Sequence, residues 1–129
     1  LLIKEDKSSY NLKQSQGEVV LINFWATWCP PCIAEMPSLQ KLYNDYGNKV
    51  AFIFVTNDPL ETIQDFKAKR KNTIPVYIRR SNAPDELITI SIPRTVIIDK
   101  LGYIIIDKSG AVDWNSDPVR STLDKLLAE

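Results

Sequence analysis

Two stretches of the chain, Val19-Val20-Leu21-Ile22-Asn23-Phe24-Trp25 and Val50-Ala51-Phe52-Ile53-Phe54-Val55-Thr56, are almost continuously apolar and rich in β-branched and aromatic residues. Short runs of this kind suit strands covered on both faces of a sheet. Between them Ile33, Met36, Leu39 or Gln40, Leu42 or Tyr43, and Tyr46 recur at intervals of three or four, with Gly47 as a stop, which predicts an amphipathic helix. Pro37 falls inside it, removes the bond to the Ile33 carbonyl and predicts a kink, so that a short first turn is aimed separately. Together these pieces make a β-α-β unit, expected to be parallel and right-handed. Asp58-Pro59-Leu60-Glu61 reads as the start of a second helix, with Asp58 as N-cap, Pro59 in first position, Glu61 completing a capping box, and Leu60, Ile63 and Phe66 inward. Ile74 to Ile78 is a short strand candidate. Thr95 to Ile98 and Tyr103 to Ile106 flank the turn Asp99-Lys100-Leu101-Gly102 as an antiparallel hairpin, which makes the sheet mixed. Asp117-Pro118 opens a last helix with Val119, Leu123, Leu126 and Leu127 on one face. Residues 1–18 are polar and turn-rich, apart from Leu1 to Ile3 and Tyr10 to Leu12, which read as short edge strands.

The 129 residues, 44% of them hydrophobic, fit one domain spanning 1–129, with 1–17 as an N-terminal extension or edge strands. Sixteen basic and sixteen acidic side chains cancel, so no long-range field recruits nucleic acid or an anionic membrane surface. Lys67, Lys69, Arg70 and Lys71 look like a binding patch, but cations at a helix C-terminus complement its dipole, and a solvated end is expected. No apolar run approaches the roughly 20 residues that span a bilayer. The chain opens without an initiator methionine or a signal-like segment, and removal of an upstream targeting or anchor segment is expected.

The only two cysteines stand in Cys29-Pro30-Pro31-Cys32, where the first predicted helix begins. That spacing brings two sulfurs within bonding reach across one turn, so the pair can cycle between dithiol and disulfide. The helix N-terminus favours a thiolate on Cys29, the more exposed sulfur, which reads as the nucleophile; Cys32, one turn in, reads as the resolving thiol. Half of a zinc site is a competing reading, weakened because the chain holds no histidine and no second cysteine pair. A purely structural bridge is another, weakened because closing so short a loop removes little chain entropy.

A Cys-x-x-Cys beside a β-α-β unit is a thioredoxin-like signature, and the order β-α-β, linking helix, β-β-α is that of the thioredoxin fold. The run Asn23-Phe24-Trp25-Ala26-Thr27-Trp28-Cys29-Pro30-Pro31-Cys32, followed by Glu35-Met36-Pro37, resembles the TlpA/ResA-type branch of the thioredoxin superfamily. Ile92-Pro93-Arg94-Thr95-Val96-Ile97-Ile98-Asp99 with Gly102 resembles that family's cis-proline strand and hairpin, so the likeness covers most of residues 18–129. The resemblance implies an extracytoplasmic thiol-disulfide oxidoreductase of the cell envelope or periplasm, often membrane-tethered. It would reduce disulfides in protein partners such as apocytochromes c or metal-site assembly proteins, and draw electrons from a membrane-borne or thioredoxin-type donor. No cofactor beyond the Cys29/Cys32 pair is implied, and a monomer is expected. An oxidant or isomerase, a redox-responsive binding module without catalysis, and a metallochaperone stay open as alternatives.

Proline at 93 cannot donate to a sheet ladder and must lie at an edge, a bulge or a strand start. By resemblance it is cis and faces the cysteines, while the Ile92 backbone pairs with the substrate peptide; an ordinary loop proline is the alternative. Ser91 and Arg94 stand where the family more often has glycine and threonine, and Arg94 is a candidate selector of acidic partners. Trp28, next to the nucleophile, is a candidate contact surface for substrate, and Trp25 is expected to pack beneath the site. Many cytosolic thioredoxins carry an aspartate six residues before the first cysteine. Asn23 stands there and cannot take a proton from Cys32. By resemblance to ResA-type proteins the replacement acid/base group is Asp58, at the end of a neighbouring strand, although a capping role competes for its carboxylate. Pro30 and Pro31 supply no N–H to the Cys29 thiolate, which predicts a moderately acidic thiol and favours a reductant.

Overall fold

The computed structural model describes residues 2–79 and 91–129. In chain order these form β1 (Leu2–Lys4), β2 (Ser9–Tyr10), β3 (Val19–Phe24), α1 (Pro30–Tyr46), β4 (Val50–Thr56), α2 (Leu60–Arg70), β5 (Val76–Arg79), β6 (Arg94–Ile98), β7 (Ile104–Ser109) and α3 (Asp117–Ala128). The strands make one mixed sheet in the order β2-β1-β5-β4-β3-β6-β7. β3 lies parallel to β4, with Val19 opposite Val50, and antiparallel to β6, with Phe24 opposite Arg94. The β-α-β unit expected around the cysteines is therefore present. The N-terminal strands do more than extend the chain, since β1 pairs antiparallel with β5 and carries β2 at the sheet edge. Leu1 lies outside the described residues.

Alternation along β3 explains its unbroken apolar run. Val19 and Leu21 enter one core with Met36, Leu39 and Leu42 of α1, Ile63 of α2 and Leu123 of α3. Val20 and Ile22 enter a second cluster with Ile53 and Val55 on the opposite side. A strand so placed fixes the end from which the cysteine loop departs.

α1 runs as one helix through Pro37, whose side is exposed, and its buried face is Cys32, Glu35, Met36, Leu39, Leu42 and Tyr46. The sequence pattern had no place for an acid on that face. Three expectations need correction. The second helix begins at Leu60, its N-cap is Pro59, and no side chain caps it; Asp58 is not the cap and no capping box forms. The Asp58 carboxylate is instead committed to the Thr27 amide. Lys67 is not part of a solvated cluster: its Nζ donates to Glu5 Oε2 at 2.9 Å and to the Ile74 carbonyl at 2.7 Å, which ties α2 to the N-terminal strands. Arg94 is not a lone charge, because its guanidinium grips Asp107 of β7 in a two-pronged pair at 2.9 and 2.8 Å.

The hairpin forms as expected, with β7 starting one residue late and a bulge between Ile97 and Ile98. In its turn Asp99 Oδ1 accepts the amides of Leu101 and Tyr103, and Gly102 takes a φ of +91° that a side chain would resist. Among the described residues no helix is long and apolar enough to cross a membrane.

Candidate active site

β3 ends at Phe24, and the chain stays in contact with β4 for one more residue through the Trp25 amide and the Val55 carbonyl, 3.0 Å apart. It then turns at Ala26, whose carbonyl accepts the Cys29 amide, and enters α1 with Cys29 as N-cap. Pro30 and Pro31 open the helix without donating, as suits its first turn. The remaining donor is the amide of Cys32, which points to Cys29 Sγ at 3.3 Å. Cys29 and Cys32 are joined in a disulfide. Both residues are buried, Cys29 at 4% and Cys32 at 0% relative exposure.

An open groove of about 180 Å³ is lined by Phe24, Trp25, Trp28, Val55, Asp58 and Ile92, among others, and so includes the residue just before Cys29. Trp28 stands 71% exposed at its rim. Trp25 is buried and packs on Phe66 of α2 with ring centres 5.3 Å apart, as expected of a residue beneath the site. Asp58 is buried at the C-terminal end of β4, and its Oδ2 accepts the Thr27 amide at 2.8 Å, pinning the loop that leads into Cys29. The Ile92–Pro93 peptide is cis, and Pro93 directly precedes β6 while its carbonyl accepts the Gly110 amide at 2.8 Å. The structure therefore gathers Cys29, Cys32, Trp28, Asp58, Ile92 and Pro93 at one end of the sheet.

One residue of this end escaped the sequence reasoning. Glu35 lies one helical turn after Cys32 on the same face of α1 and is 3% exposed. Its Oε1 accepts the Asn23 side-chain amide at 3.0 Å; its Oε2 accepts the Trp114 indole N–H at 2.9 Å and the Val112 backbone amide at 3.2 Å. Burial pushes the Glu35 carboxyl above the ordinary carboxylate range, and the bonds from Trp114, Asn23 and Val112 pull against that rise. Asn23 also donates to Thr95 Oγ1 at 2.9 Å. The position that cannot carry a proton thus holds the side chain that can. The available signal was an acid three residues after Cys32 on an otherwise apolar face. Its partners, 12 and 79 positions away, were not legible. Among the described residues no group of three or more histidine, cysteine, aspartate or glutamate side chains is placed to hold a metal ion.

Such an arrangement, a cysteine pair at the start of a helix that follows a central strand, with a cis-proline loop alongside, defines a thioredoxin-like redox protein. Comparison with known proteins agrees. The model of the Redoxin family matches residues 1–127, and the chain belongs to that family. It is 36% identical to the thioredoxin-like protein YneN of Bacillus subtilis over 103 residues, covering 77% of this chain and 59% of that protein. It is 36% identical to the thiol-disulfide oxidoreductase ResA of Oceanobacillus iheyensis over 124 residues, covering 94% of this chain and 60% of that one. The chain spans about three fifths of the length of the curated relatives it matches. Among solved structures, the thioredoxin domain of a thiol-disulfide oxidoreductase from Bacteroides vulgatus superposes with a TM-score of 0.78 at 20% identity, covering 98% of this chain and 92% of that one. StoA from Bacillus subtilis superposes with a TM-score of 0.73 at 21% identity, covering 100% of this chain and 95% of that one. These two likenesses establish the thioredoxin fold.

Proposed function

We propose that the protein is a thiol-disulfide oxidoreductase that reduces disulfides in extracytoplasmic protein substrates. The observation that carries the reading is the disulfide Cys29–Cys32 at the N-terminus of α1, one turn from a buried carboxylate and preceded by Trp28 at the rim of a groove. In the reduced protein the Cys29 thiolate attacks one sulfur of the substrate disulfide; a mixed disulfide forms and the first substrate thiolate leaves. Cys32 then gives its proton to Glu35 and, as thiolate, attacks Cys29 Sγ, which re-forms the Cys29–Cys32 disulfide and releases the second substrate thiolate. Two electrons have passed from the pair to the substrate. A dithiol electron donor, membrane-borne or thioredoxin-type, restores the reduced state.

In this reading Trp28 and Ile92 bear on the substrate segment around its disulfide, and Pro93 sets the loop that presents Ile92. Asp58 holds the approach to Cys29 through Thr27 and remains the candidate for proton transfer on the groove side. Two features favour a reductant: Pro30 and Pro31 withhold two amides from the Cys29 thiolate, and no cation lies between the cysteines. Kinship with proteins named ResA supports both the reaction and a place outside the cytoplasm. Trapping tests the reaction: Cys32→Ser should accumulate a mixed disulfide through Cys29 with a disulfide-bonded protein substrate, and Cys29→Ser should accumulate none. Equal trapping by both variants would remove the assigned order of attack.

A further inference from the structure

The three donors around Glu35 differ in kind. The Trp114 indole and the Val112 amide can only donate, and both serve Oε2. Asn23 sends its NH2 group to Oε1, while its own carbonyl oxygen is buried and has no partner among the described residues. Turned over about its last torsion, the Asn23 amide would accept from a protonated Glu35 and from the Thr95 hydroxyl that it now serves as donor. Asn23 can therefore serve either protonation state of the acid, though serving the protonated one leaves its NH2 group without an acceptor. Trp114 donates to Oε2 in either state, but its bond is the stronger one when the carboxylate is charged.

Trp114 is itself fixed. It is 1% exposed, and its backbone amide donates to Ser38 Oγ at 3.0 Å, which in turn donates to the Glu35 carbonyl at 2.8 Å. This loop of bonds locks the segment before α3 onto the helix that bears the cysteines. Few charges face the carboxylate: Cys32 lies on its own helix, and Lys41 and Asp113 line the groove above it together with Val112. From β3 it meets the uncharged Asn23, which in turn donates to Thr95 of β6. Among the described residues no cation is paired to it, and hydrogen bonds hold the ionised form.

We propose that Trp114 is a positioning residue for the resolving step: its indole N–H fixes Glu35 Oε2 and keeps the carboxylate ionised, ready to take the proton of Cys32. The proposal rests on the reading of Glu35 as proton acceptor. Nothing in the sequence near the cysteines specifies it, since Trp114 lies in the loop that leads into α3.

The test is single turnover of the reduced protein with an aromatic disulfide, 5,5′-dithiobis(2-nitrobenzoate). Attack by Cys29 releases the first coloured thiolate, and resolution by Cys32 releases the second. In Trp114→Phe the pH profile of the second phase should move to the alkaline side, making that phase about ten-fold slower below the limb, a change equivalent to about one pH unit. The first phase should not move. In a Glu35→Gln background the Trp114→Phe change should add no further shift. A uniform slowing without movement of the profile, or an equal shift in the Gln background, would overturn the proposal and leave Trp114 a packing residue. If Glu35→Gln itself leaves the second-phase profile unmoved, the proton-acceptor reading fails and the proposal falls with it. Should Trp114→Phe not fold, the unsubstituted protein supports the same test through the indole N–H signal of Trp114 in heteronuclear NMR. That signal should titrate with Glu35 and be pH-independent in Glu35→Gln; a pH-independent signal in the unsubstituted protein would overturn the proposal.

Discussion

Glu35 offers a stability experiment with two opposed substitutions. In Glu35→Ala three donors lose their acceptor: Trp114 Nε1, the Val112 amide and one hydrogen of the Asn23 amide. Each buried donor left unpaired costs roughly 1–3 kcal/mol, so the low end of that range sums to about 3 kcal/mol, partly offset because a charge is no longer buried. Glu35→Gln keeps the shape and the bonds from Trp114 and Val112, because its carbonyl oxygen takes the place of Oε2; its NH2 group finds an acceptor in the Asn23 carbonyl oxygen only when that amide turns over, which leaves the Asn23 NH2 group without one. Gln, with one buried amide group mispaired, should therefore lose roughly 1 kcal/mol near neutral pH, whereas Ala should lose about 3. The pH dependence separates the two states further. Because burial raises the folded pKa of Glu35, the folded protein keeps this proton to higher pH than the unfolded chain. Stability from this group is thus fully present below the unfolded carboxylate pKa and is lost as pH rises through the folded one, by about 1.4 kcal/mol for each unit of separation. The assay is urea unfolding of the disulfide form at about pH 5 and about pH 8, with Glu35→Gln as reference to cancel the other carboxylates. The Gln variant should gain on the parent as pH rises. A parent that gains on the Gln variant over that interval, or a Gln variant as unstable as Ala, would refute the reasoning.

Two further outcomes follow from contacts away from the acid. Asp58→Asn keeps an oxygen for the Thr27 amide, so stability should change by less than about 1 kcal/mol, while the pH profile of disulfide exchange should lose a limb; an unchanged profile removes Asp58 from proton transfer. Lys67→Met strips donors from Glu5 and from the Ile74 carbonyl, should cost about 1–2 kcal/mol, and should expose the β1–β2 edge to protease before the rest of the chain; uniform proteolysis would argue against that tie.

What could be read from sequence depended on the range of the interactions. The β3 and β4 runs, the helix after Cys29 and the hairpin after Pro93 are set by local periodicity and by turn residues, and all of them form close to where the pattern places them. The errors share a cause. Asp58 carries the local signature of a helix cap, but the Thr27 amide, 31 positions earlier, takes its carboxylate. Lys67 reads as one cation among four until Glu5 arrives from 62 positions away. Arg94 reads as a free charge until the hairpin sets Asp107 beside it. Glu35 breaks the helix's apolar face for a reason supplied by Asn23 on β3 and Trp114 before α3. Each is a polar side chain whose partner is brought close only by the tertiary fold, and propensity carries no information about that pairing.

The most direct measurement is a redox titration of the Cys29/Cys32 couple in defined thiol-disulfide buffers, followed by thiol labelling and by the fluorescence of exposed Trp28. A reversible two-electron transition at or below about −230 mV is the predicted result, that of a reductant whose Cys29 thiolate lacks two amide donors. A midpoint above about −180 mV would make the protein an oxidant or isomerase, and the absence of a reversible transition would contradict redox function altogether.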